Sequence, residues 1–295
     1  MLKFEWRVEK EQRLKKFLQQ QGISRRLLAR IKFHGGHLLV NHEPATVKTP
    51  LKIDDLVTVY LPPEGTQDII TPIDKEIDIL FEDDHYIAIN KPAGFTSIPS
   101  QYNPQGSLAN MLKAYYQKQQ YKNQVIHVVT RLDRDTSGVM LFAKHAYAHG
   151  LIDRELQSQR IAKQYWAFTE QPINQDKHGY IDEPIGRSPH SIIERQVTSD
   201  GKPALTEYWL KGQLQDSYQY QVQLHTGRTH QIRVHFAYEG APLIGDDLYG
   251  GPLRPTMHSQ ALHCKSLSFN HPITKETIYI TAPLPEDLLP FNTIN

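Results

Sequence analysis

Cysteine is almost absent from this sequence, which has a single one, Cys264, among 295 residues. One thiol excludes an internal disulfide framework and a cysteine-rich zinc site. Long apolar runs are missing too, whereas a membrane-spanning helix needs about 20 apolar residues. The opening residues, MLKFEWRVEKEQRLKK, have no apolar core like that of a secretory signal. We therefore expect a protein of the reducing cytoplasm with no membrane partner.

Net charge is also low, at +1, but the charges are unevenly distributed along the chain. Residues 1–62 contain 12 Lys or Arg and 6 Asp or Glu, so this segment carries about +6. Residues 63–295 carry about −5. A small basic head on a mildly acidic body indicates a module that binds a polyanion. A basic surface kept for solubility explains the same charges equally well.

The basic segment has the pattern of two short helices followed by short strands. Ser24 is a suitable N-cap for a second helix, and the glycines at 35 and 36 are expected to end it. Strand patterns follow at 38–40 and 56–60, with a polar turn at Asn41-His42. This order resembles the S4 RNA-binding domain, although His42 and Asp54-Asp55 depart from its usual pattern. The resemblance implies RNA contacts by three arginines on or near the second helix: Arg25, Arg26 and Arg30.

The rest of the chain is rich in strand patterns. Prolines and glycine between 62 and 72 predict a linker over residues 63–75. From residue 76 onward, a hairpin is expected around 82–85 and helices near 107–115 and 146–159. Many strands with few helices predict an α+β body over residues 76–295, built on a large, mainly antiparallel mixed sheet.

A dense cluster of charged residues, Arg131 to Gly138, stands just before an apolar strand pattern. Its sequence, RLDRDTSG, holds two carboxylates and two guanidiniums within five residues. Asp, Thr, Ser and Gly also form turns, because their side chains bond local backbone amides. On composition alone, a capped surface turn held by ion pairs is slightly favoured over a catalytic site.

A second segment, Leu224 to His235, packs two arginines and three histidines around Gly227. It is consistent with a basic turn or with a metal site that uses His230 and His235. A spacing of five residues puts these two histidines on opposite faces of a strand and out of register on a helix. No carboxylate stands at a familiar ligand spacing. We therefore expect no bound metal.

Together these segments resemble the RluA-type RNA pseudouridine synthases. Eight motifs follow that family's order through the body: Asn90 to Gly94, Arg131 to Gly138, Lys163-Gln164-Tyr165, Pro184 to Arg187, Gly201 to Ala204, Thr226 to His235, Gly245-Asp246 with Tyr249-Gly250, and Leu262-His263. One departure is Thr130, where many members have His. The resemblance implies the pseudouridine synthase fold for the body and an S4-like α/β domain before it.

The implied activity is the isomerisation of specific uridines in structured RNA, with large-subunit ribosomal RNA as the foremost target, by a monomer without a cofactor. Transfer RNA is an alternative substrate. A catalytically silent RNA-binding protein and a metal-dependent nuclease or phosphotransferase are alternatives of other classes. Neither a Walker A pattern nor a dinucleotide fingerprint is present in the sequence.

The resemblance also assigns roles to single residues. It implies that Asp133 is the catalytic carboxylate, which either attacks the uridine or assists departure of the uracil through C2′. Arg233 is implied as the guanidinium beside it. Because a guanidinium can hold a carboxylate by two parallel hydrogen bonds, we expect Arg233 to orient Asp133 in this way. Tyr165 is implied to stack on the uracil and to share in proton transfer at C5. Leu262 is implied as the apolar floor under the base.

Three more arginines are expected to contact RNA. Arg131 resembles the family residue near the gap that a flipped uridine leaves in its stack. Arg134 and Arg228 are candidates for phosphate contacts, which position RNA without reading its sequence. Asp135, two residues after the catalytic carboxylate, is interpreted as a structural turn cap.

Overall fold

The computed structural model describes residues 1–65, 70–99, 104–173, 177–214, 216–255 and 257–293. These residues form a small sheet with two helices near the N-terminus and a ten-stranded sheet with three helices after it. Within the described ranges, no helix combines the length and the apolar character needed to cross a membrane.

The N-terminal head contains two helices and six short strands. They are β1 (Lys3–Arg7), β2 (Gln12–Arg13), α1 (Leu14–Gln20), α2 (Arg25–Phe33), β3 (His37–Val40), β4 (Glu43–Pro44), β5 (Pro50–Leu51) and β6 (Leu56–Tyr60). The main sheet has the order β1-β6-β3-β4, and β2 pairs with β5.

The helix cap, the glycine after α2 and the tight turn that the sequence predicts in the head are all found in the structure. The backbone N–H of Leu27 donates to the Ser24 hydroxyl at 3.1 Å, so Ser24 is the N-cap of α2. Gly35 takes a φ of +85° just after the helix. Asn41 and His42 both have positive φ, of 51° and 72°, which is the backbone form of a tight hairpin turn between β3 and β4.

The body contains twelve strands and three helices among the described residues. They are β7 (Asp78–Glu82), β8 (Tyr86–Lys91), α3 (Leu108–Lys118), β9 (His127–Val128), β10 (Ser137–Ala143), α4 (Ala146–Gln157), β11 (Ala162–Thr169), β12 (His178–Asp182), β13 (Ile185–Arg187), β14 (Arg195–Val197), β15 (Leu205–Leu214), β16 (Ser217–Leu224), α5 (Gln231–Tyr238), β17 (Leu262–Asn270) and β18 (Thr277–Thr281).

The large sheet runs in the order β12-β15-β16-β11-β17-β10-β8-β7, with β18 beside β17 and β9 beside β10. The pairing of β10 with β17 is parallel. The other pairings described in this sheet are antiparallel. The predicted large mixed sheet is confirmed.

Helix α5 replaces the basic turn that is one interpretation of its sequence. All residues from Gln231 to Phe236 are buried, including Arg233 and His235. Because the helix is buried around its first six residues, it has no exposed polar stripe, and the helical period is not visible in its sequence. The turn interpretation is therefore wrong for residues 231–238.

The head packs directly on helix α4 of the body. Tyr147 belongs to the buried core of the head, and its hydroxyl donates to the Gln21 carbonyl at 2.6 Å. Gly22 has a φ of +90°, and a Cβ there would lie 2.3 Å from the Leu151 side chain. Contact this close leaves no room for a side chain at the head–body junction.

The predicted linker also touches the body. The backbone N–H of Ala146 donates to the Glu64 carboxylate at 2.6 Å, and His127 lies 2.6 Å from the same carboxylate. Residues 66–69 of this linker lie outside the described residues. The boundaries at 62 and 75 stay predictions.

Candidate active site

A cleft of about 900 Å³ lies where the turn before β10, strand β11, the start of β17 and the segment leading into α5 meet. It brings together seven of the residues that the sequence singled out: Asp133, Tyr165, Arg233, Leu262, Arg131, Arg134 and Arg228. Among the described residues that line the cleft, Asp133 is the only carboxylate, whereas four are arginines and one is Lys163. The cleft is therefore suited to a polyanion.

The turn that carries Asp133 is fixed by hydrogen bonds to its backbone. The Ser97 hydroxyl donates to the Leu132 carbonyl at 2.8 Å and accepts from the Leu132 N–H at 3.1 Å. The N–H of Thr136 donates to the Asp133 carbonyl at 3.2 Å. With its backbone held in this way, the Asp133 side chain reaches the cleft and is 28% exposed.

Gly138 allows the strand after this turn to approach β17 closely. It has a φ of +109°, and a Cβ there would lie only 2.2 Å from the Cys264 carbonyl oxygen. Gly138 is the register partner of Cys264 in the parallel pairing, and Cys264 is also the partner of Tyr165 on the other side of β17. This register sets Asp133, Tyr165 and Leu262 around one cavity.

Arg233 holds a different carboxylate from the one expected. Its Nε and one terminal nitrogen donate to the two oxygens of Asp246, each at 2.7 Å. Its other terminal nitrogen lies 3.9 Å from Oδ2 of Asp133. The expectation of two parallel hydrogen bonds to Asp133 is therefore wrong, although the guanidinium does lie at ion-pair distance from that carboxylate.

The surroundings of Arg233 keep its guanidinium protonated. Burial lowers the pKa of the guanidinium, but the hydrogen bonds and charge of Asp246, together with the charge of Asp133, outweigh it and raise that pKa overall. The Tyr249 ring lies 5.0 Å from the guanidinium carbon. Asp246 belongs to a family motif that assigns it no role. Its burial, at 1% exposure, and its two bonds to Arg233 show that it holds this guanidinium.

Tyr165 forms a buried wall of the cleft. Burial, followed by the nearby Cys264 and Asp133, raises the pKa of its hydroxyl well above the usual value. The phenol is therefore protonated at neutral pH. Leu262, which is buried as well, also lines the cleft, so the ring and the aliphatic chain together offer an apolar surface.

The two histidines considered as metal ligands have separate partners. His230, with a left-handed φ of 59°, places its Nδ1 2.8 Å from the Tyr249 hydroxyl. His235 is buried in α5, with its two ring nitrogens 2.8 Å from the Thr206 hydroxyl and 2.9 Å from the Glu183 carbonyl. In the part of the chain that the structure describes, no group of three or more His, Cys, Asp or Glu residues is arranged for a metal ion.

The arginines at the cleft differ in how firmly they are held. Arg134 is bonded to both carboxylate oxygens of Asp135, and its side chain is still 66% exposed. Asp135 thus accepts from a guanidinium, and the expectation that it caps the turn is wrong. The Nε of Arg228 donates to the Pro203 carbonyl at 2.9 Å, whereas Arg131 is exposed.

The arginines of the head lie apart from this site. Arg25 and Arg26 are exposed on α2, and Arg30 is half-buried and donates to the Pro63 carbonyl at 3.2 Å. They do not line the cleft, so any RNA contact that they make is a separate one.

Residues 85–238 match the family model described as RNA pseudouridylate synthase. The chain is 45% identical over 275 residues to the Uncharacterized RNA pseudouridine synthase YjbO of Bacillus subtilis, which covers 93% of this chain and 96% of that protein. It is 36% identical over 266 residues to the Ribosomal large subunit pseudouridine synthase D of Xanthomonas campestris, which covers 86% of this chain and 79% of that protein.

A solved structure, Human RNA Pseudouridylate Synthase Domain Containing 1, superposes with a TM-score of 0.58 at 24% identity, over 71% of this chain and 84% of that one. This similarity concerns the fold alone. The match to the family model and the identity to YjbO go further: the chain belongs to the RNA pseudouridine synthases, enzymes that isomerise uridine in RNA.

Proposed function

We propose that this enzyme isomerises specific uridines in large-subunit ribosomal RNA, with Asp133 as the catalytic carboxylate and without a cofactor. The observation that carries the catalytic role is the position of Asp133, which is the only carboxylate among the described residues of a cleft rich in arginine. The ribosomal target rests on relatives named Ribosomal large subunit pseudouridine synthase D from several bacteria, at 35–38% identity.

The reaction itself sets what the site must supply. It breaks the bond between N1 of uracil and C1′ of the ribose, turns the base, and joins C5 to C1′. The proton lost from C5 is balanced by the one that N1 gains, so no electrons, phosphate or water are consumed. Direct attack by Asp133 and its removal of the C2′ proton both start from an ionised carboxylate beside the ribose.

Arg233 supplies a fixed positive charge for that carboxylate. Because the guanidinium gives its two parallel hydrogen bonds to Asp246, its remaining nitrogen stands 3.9 Å from Asp133 without bonding it tightly. A charge oriented before the substrate arrives stabilises the ionised carboxylate without reorganisation during the reaction. Asp133 keeps its oxygens available for the sugar.

Tyr165 and Leu262 provide the surface for the base. A uridine flipped out of its stack loses stacking partners, and an aromatic ring replaces them in part. The raised pKa keeps the Tyr165 hydroxyl protonated at neutral pH, so almost no phenolate is present to take the proton from C5. We therefore assign Tyr165 to holding the uracil in place and not to acting as the sole base at C5.

RNA docking involves the cleft arginines and the head. Arg131, Arg134 and Arg228 line the cleft and are suited to phosphates around the target uridine. The head has two helices followed by a small sheet, with Arg25 and Arg26 exposed, which supports its interpretation as an S4-like RNA-binding domain over residues 1–62. We also propose that the enzyme acts in the cytoplasm, together with its proposed ribosomal RNA substrate.

Mapping of pseudouridine in the RNA of a strain that lacks this gene tests the proposal. We expect one or more sites in large-subunit ribosomal RNA to revert to uridine, to return with the wild-type gene, and to stay absent with Asp133→Asn. Unchanged ribosomal RNA, or loss of sites in transfer RNA only, would overturn the proposed target. Restoration by the Asn variant would overturn the role of Asp133.

A further inference from the structure

Lys91, the last residue of β8, is a lysine with no exposed surface. Its Nζ donates to the Pro92 carbonyl at 2.9 Å and to the Arg134 carbonyl at 2.7 Å. Arg134 stands directly after Asp133 in the turn that carries the catalytic carboxylate. The ammonium is therefore bonded to the backbone of that turn.

A buried ammonium is costly, because its charge is removed from water. An apolar side chain of similar length fills the same space without that cost, so packing alone does not explain a lysine here. The bond to the Arg134 carbonyl does explain it, since only a donor can hold this backbone oxygen.

Charge is a second link between Lys91 and the turn. Burial lowers the pKa of Lys91 to about 7, against the opposing effect of the negative charges of Asp135 and Asp133. Other charged groups share a cavity of about 340 Å³ with Lys91: Lys75, Glu76, Asp78 and Asp287. The attraction is mutual, so a protonated Lys91 stabilises the negative charge on Asp133.

We propose that Lys91 is a positioning residue for the isomerisation: its ammonium fixes the turn through the Arg134 carbonyl, so that Asp133 is held at the ribose with a second positive charge near it. This inference rests on the proposed role of Asp133. The protonated form is the working form, so the rate falls as Lys91 loses its proton.

Lys113 provides a matched control. It is also buried, at 4% exposure, and its Nζ also donates to a backbone carbonyl, that of Gln124, at 2.8 Å. It lies on α3 and does not line the cleft. Loss of this lysine removes a buried ammonium of the same kind without touching the catalytic turn.

The test compares the full-length wild type with Lys91→Met, Lys91→Arg and Lys113→Met. The substrate is a transcript of large-subunit ribosomal RNA with tritium at C5 of uridine, and single-turnover rates and RNA Kd are measured from pH 6 to 9. We expect Lys91→Met to be about 10- to 100-fold slower near pH 6.5, because small displacements of a reacting group have effects of this size. Its RNA Kd stays close to that of the wild type.

Wild-type rates are expected to fall above neutral pH, and this fall is expected to be absent in Lys91→Met. Lys91→Arg, which stays charged, recovers part of the rate and does not lose it up to pH 9. Lys113→Met keeps the wild-type rate and pH profile, whatever its stability. Equal rates for Lys91→Met and Lys113→Met, or an alkaline fall that persists in Lys91→Met, would overturn the inference.

Thermal melting shows whether each variant is folded. If Lys91→Met does not fold, the inference is tested by the pH dependence of the wild-type rate. A wild-type rate that is constant from pH 6 to 9 contradicts the inference. Asp133→Asn, measured in the same series, separates the two proposals. Turnover by that variant would overturn the role of Asp133 and this inference with it, whereas a normal Lys91→Met overturns this inference alone.

Discussion

Arg233 and Asp246 form a buried ion pair with two hydrogen bonds of 2.7 Å, and Asp133 lies outside that pair, 3.9 Å from the same guanidinium. The orientation of the Arg233 guanidinium is thus set by Asp246, a carboxylate that does not line the cleft. Asp246 is itself anchored by the turn after it, since one of its oxygens also accepts from the Tyr249 N–H at 3.3 Å.

Replacing Asp246 with Asn is expected to damage both stability and catalysis. The amide keeps the shape but removes the charge, which leaves the guanidinium buried with a weaker partner. Breaking a buried pair in this way costs about 3 kcal/mol of unfolding free energy. Turnover is expected to fall with little change in RNA Kd, because Arg233 loses its fixed orientation.

Urea denaturation and single-turnover kinetics measure the two effects. Asp247→Asn is the control, because it removes the same charge from the next residue, which is exposed. Similar losses in both variants would show that the Asp246–Arg233 pair has no special role.

Neutralising the head arginines is expected to weaken RNA binding and its salt dependence without slowing the reaction. Each phosphate contact contributes roughly 0.7–0.9 to the slope of log affinity against log salt, so Arg25→Gln with Arg26→Gln lowers the slope by about 1.4–1.8. Single-turnover rates at saturating enzyme stay at the wild-type level, because α2 is separate from the cleft.

Lys48→Gln with Lys52→Gln provides the control for this pair. It makes the same change in charge in the same head, at exposed positions away from α2. If both double variants change the salt slope equally, net charge and not the surface of α2 governs binding.

A buried histidine of the body, His145, lies beside the Phe4 ring of the head and predicts a loss of stability in acid. His145 lies with its Nε2 3.0 Å from Nδ1 of His85, and burial lowers its pKa to about 3. The unfolded chain takes up a proton near pH 6.5, whereas the native His145 does so only near its lowered pKa. The contribution of His145 to the unfolding free energy is therefore fully present above about pH 6.5, and it is lost as the pH falls below that value.

In the wild type the Ala148 N–H donates to Nδ1 of His145 at 3.2 Å. His145→Asn removes the titrating group and still offers an acceptor to this N–H. Each pH unit in that window changes the free energy of unfolding by about 1.4 kcal/mol. Between pH 6.5 and 4, the unfolding free energy of the wild type is therefore expected to fall by about 3 kcal/mol more than that of the variant. Urea denaturation at several pH values measures the difference. Parallel curves for the two proteins, with His42→Asn as an exposed control, would contradict the prediction.

Sequence-local features of this protein were predictable because they depend on neighbouring residues. The N-cap Ser24, the glycine after α2 and the turn at Asn41-His42 all follow from the chemistry of short segments. Family motifs, in turn, singled out Asp133 and Tyr165, which the fold brings to one cleft.

The features that were missed depend on contacts between distant segments. Helix α5 has no exposed polar stripe to reveal its period, since its residues from Gln231 to Phe236 are all buried. The partner of Arg233 is 13 residues away, and Lys91 reaches a carbonyl 43 residues away. Nothing in the sequence around Tyr147 shows that it completes the core of the head.

The role of Asp133 is tested most directly by single-turnover tritium release from C5-labelled ribosomal RNA with purified Asp133→Asn at saturating concentration. The amide keeps the shape of the side chain and removes its charge, so we expect no release above background and an RNA Kd within about two-fold of the wild type. Asp135→Asn, whose carboxylate contacts Arg134, is expected to retain turnover. Substantial tritium release by Asp133→Asn would contradict the assignment of this aspartate as the catalytic carboxylate.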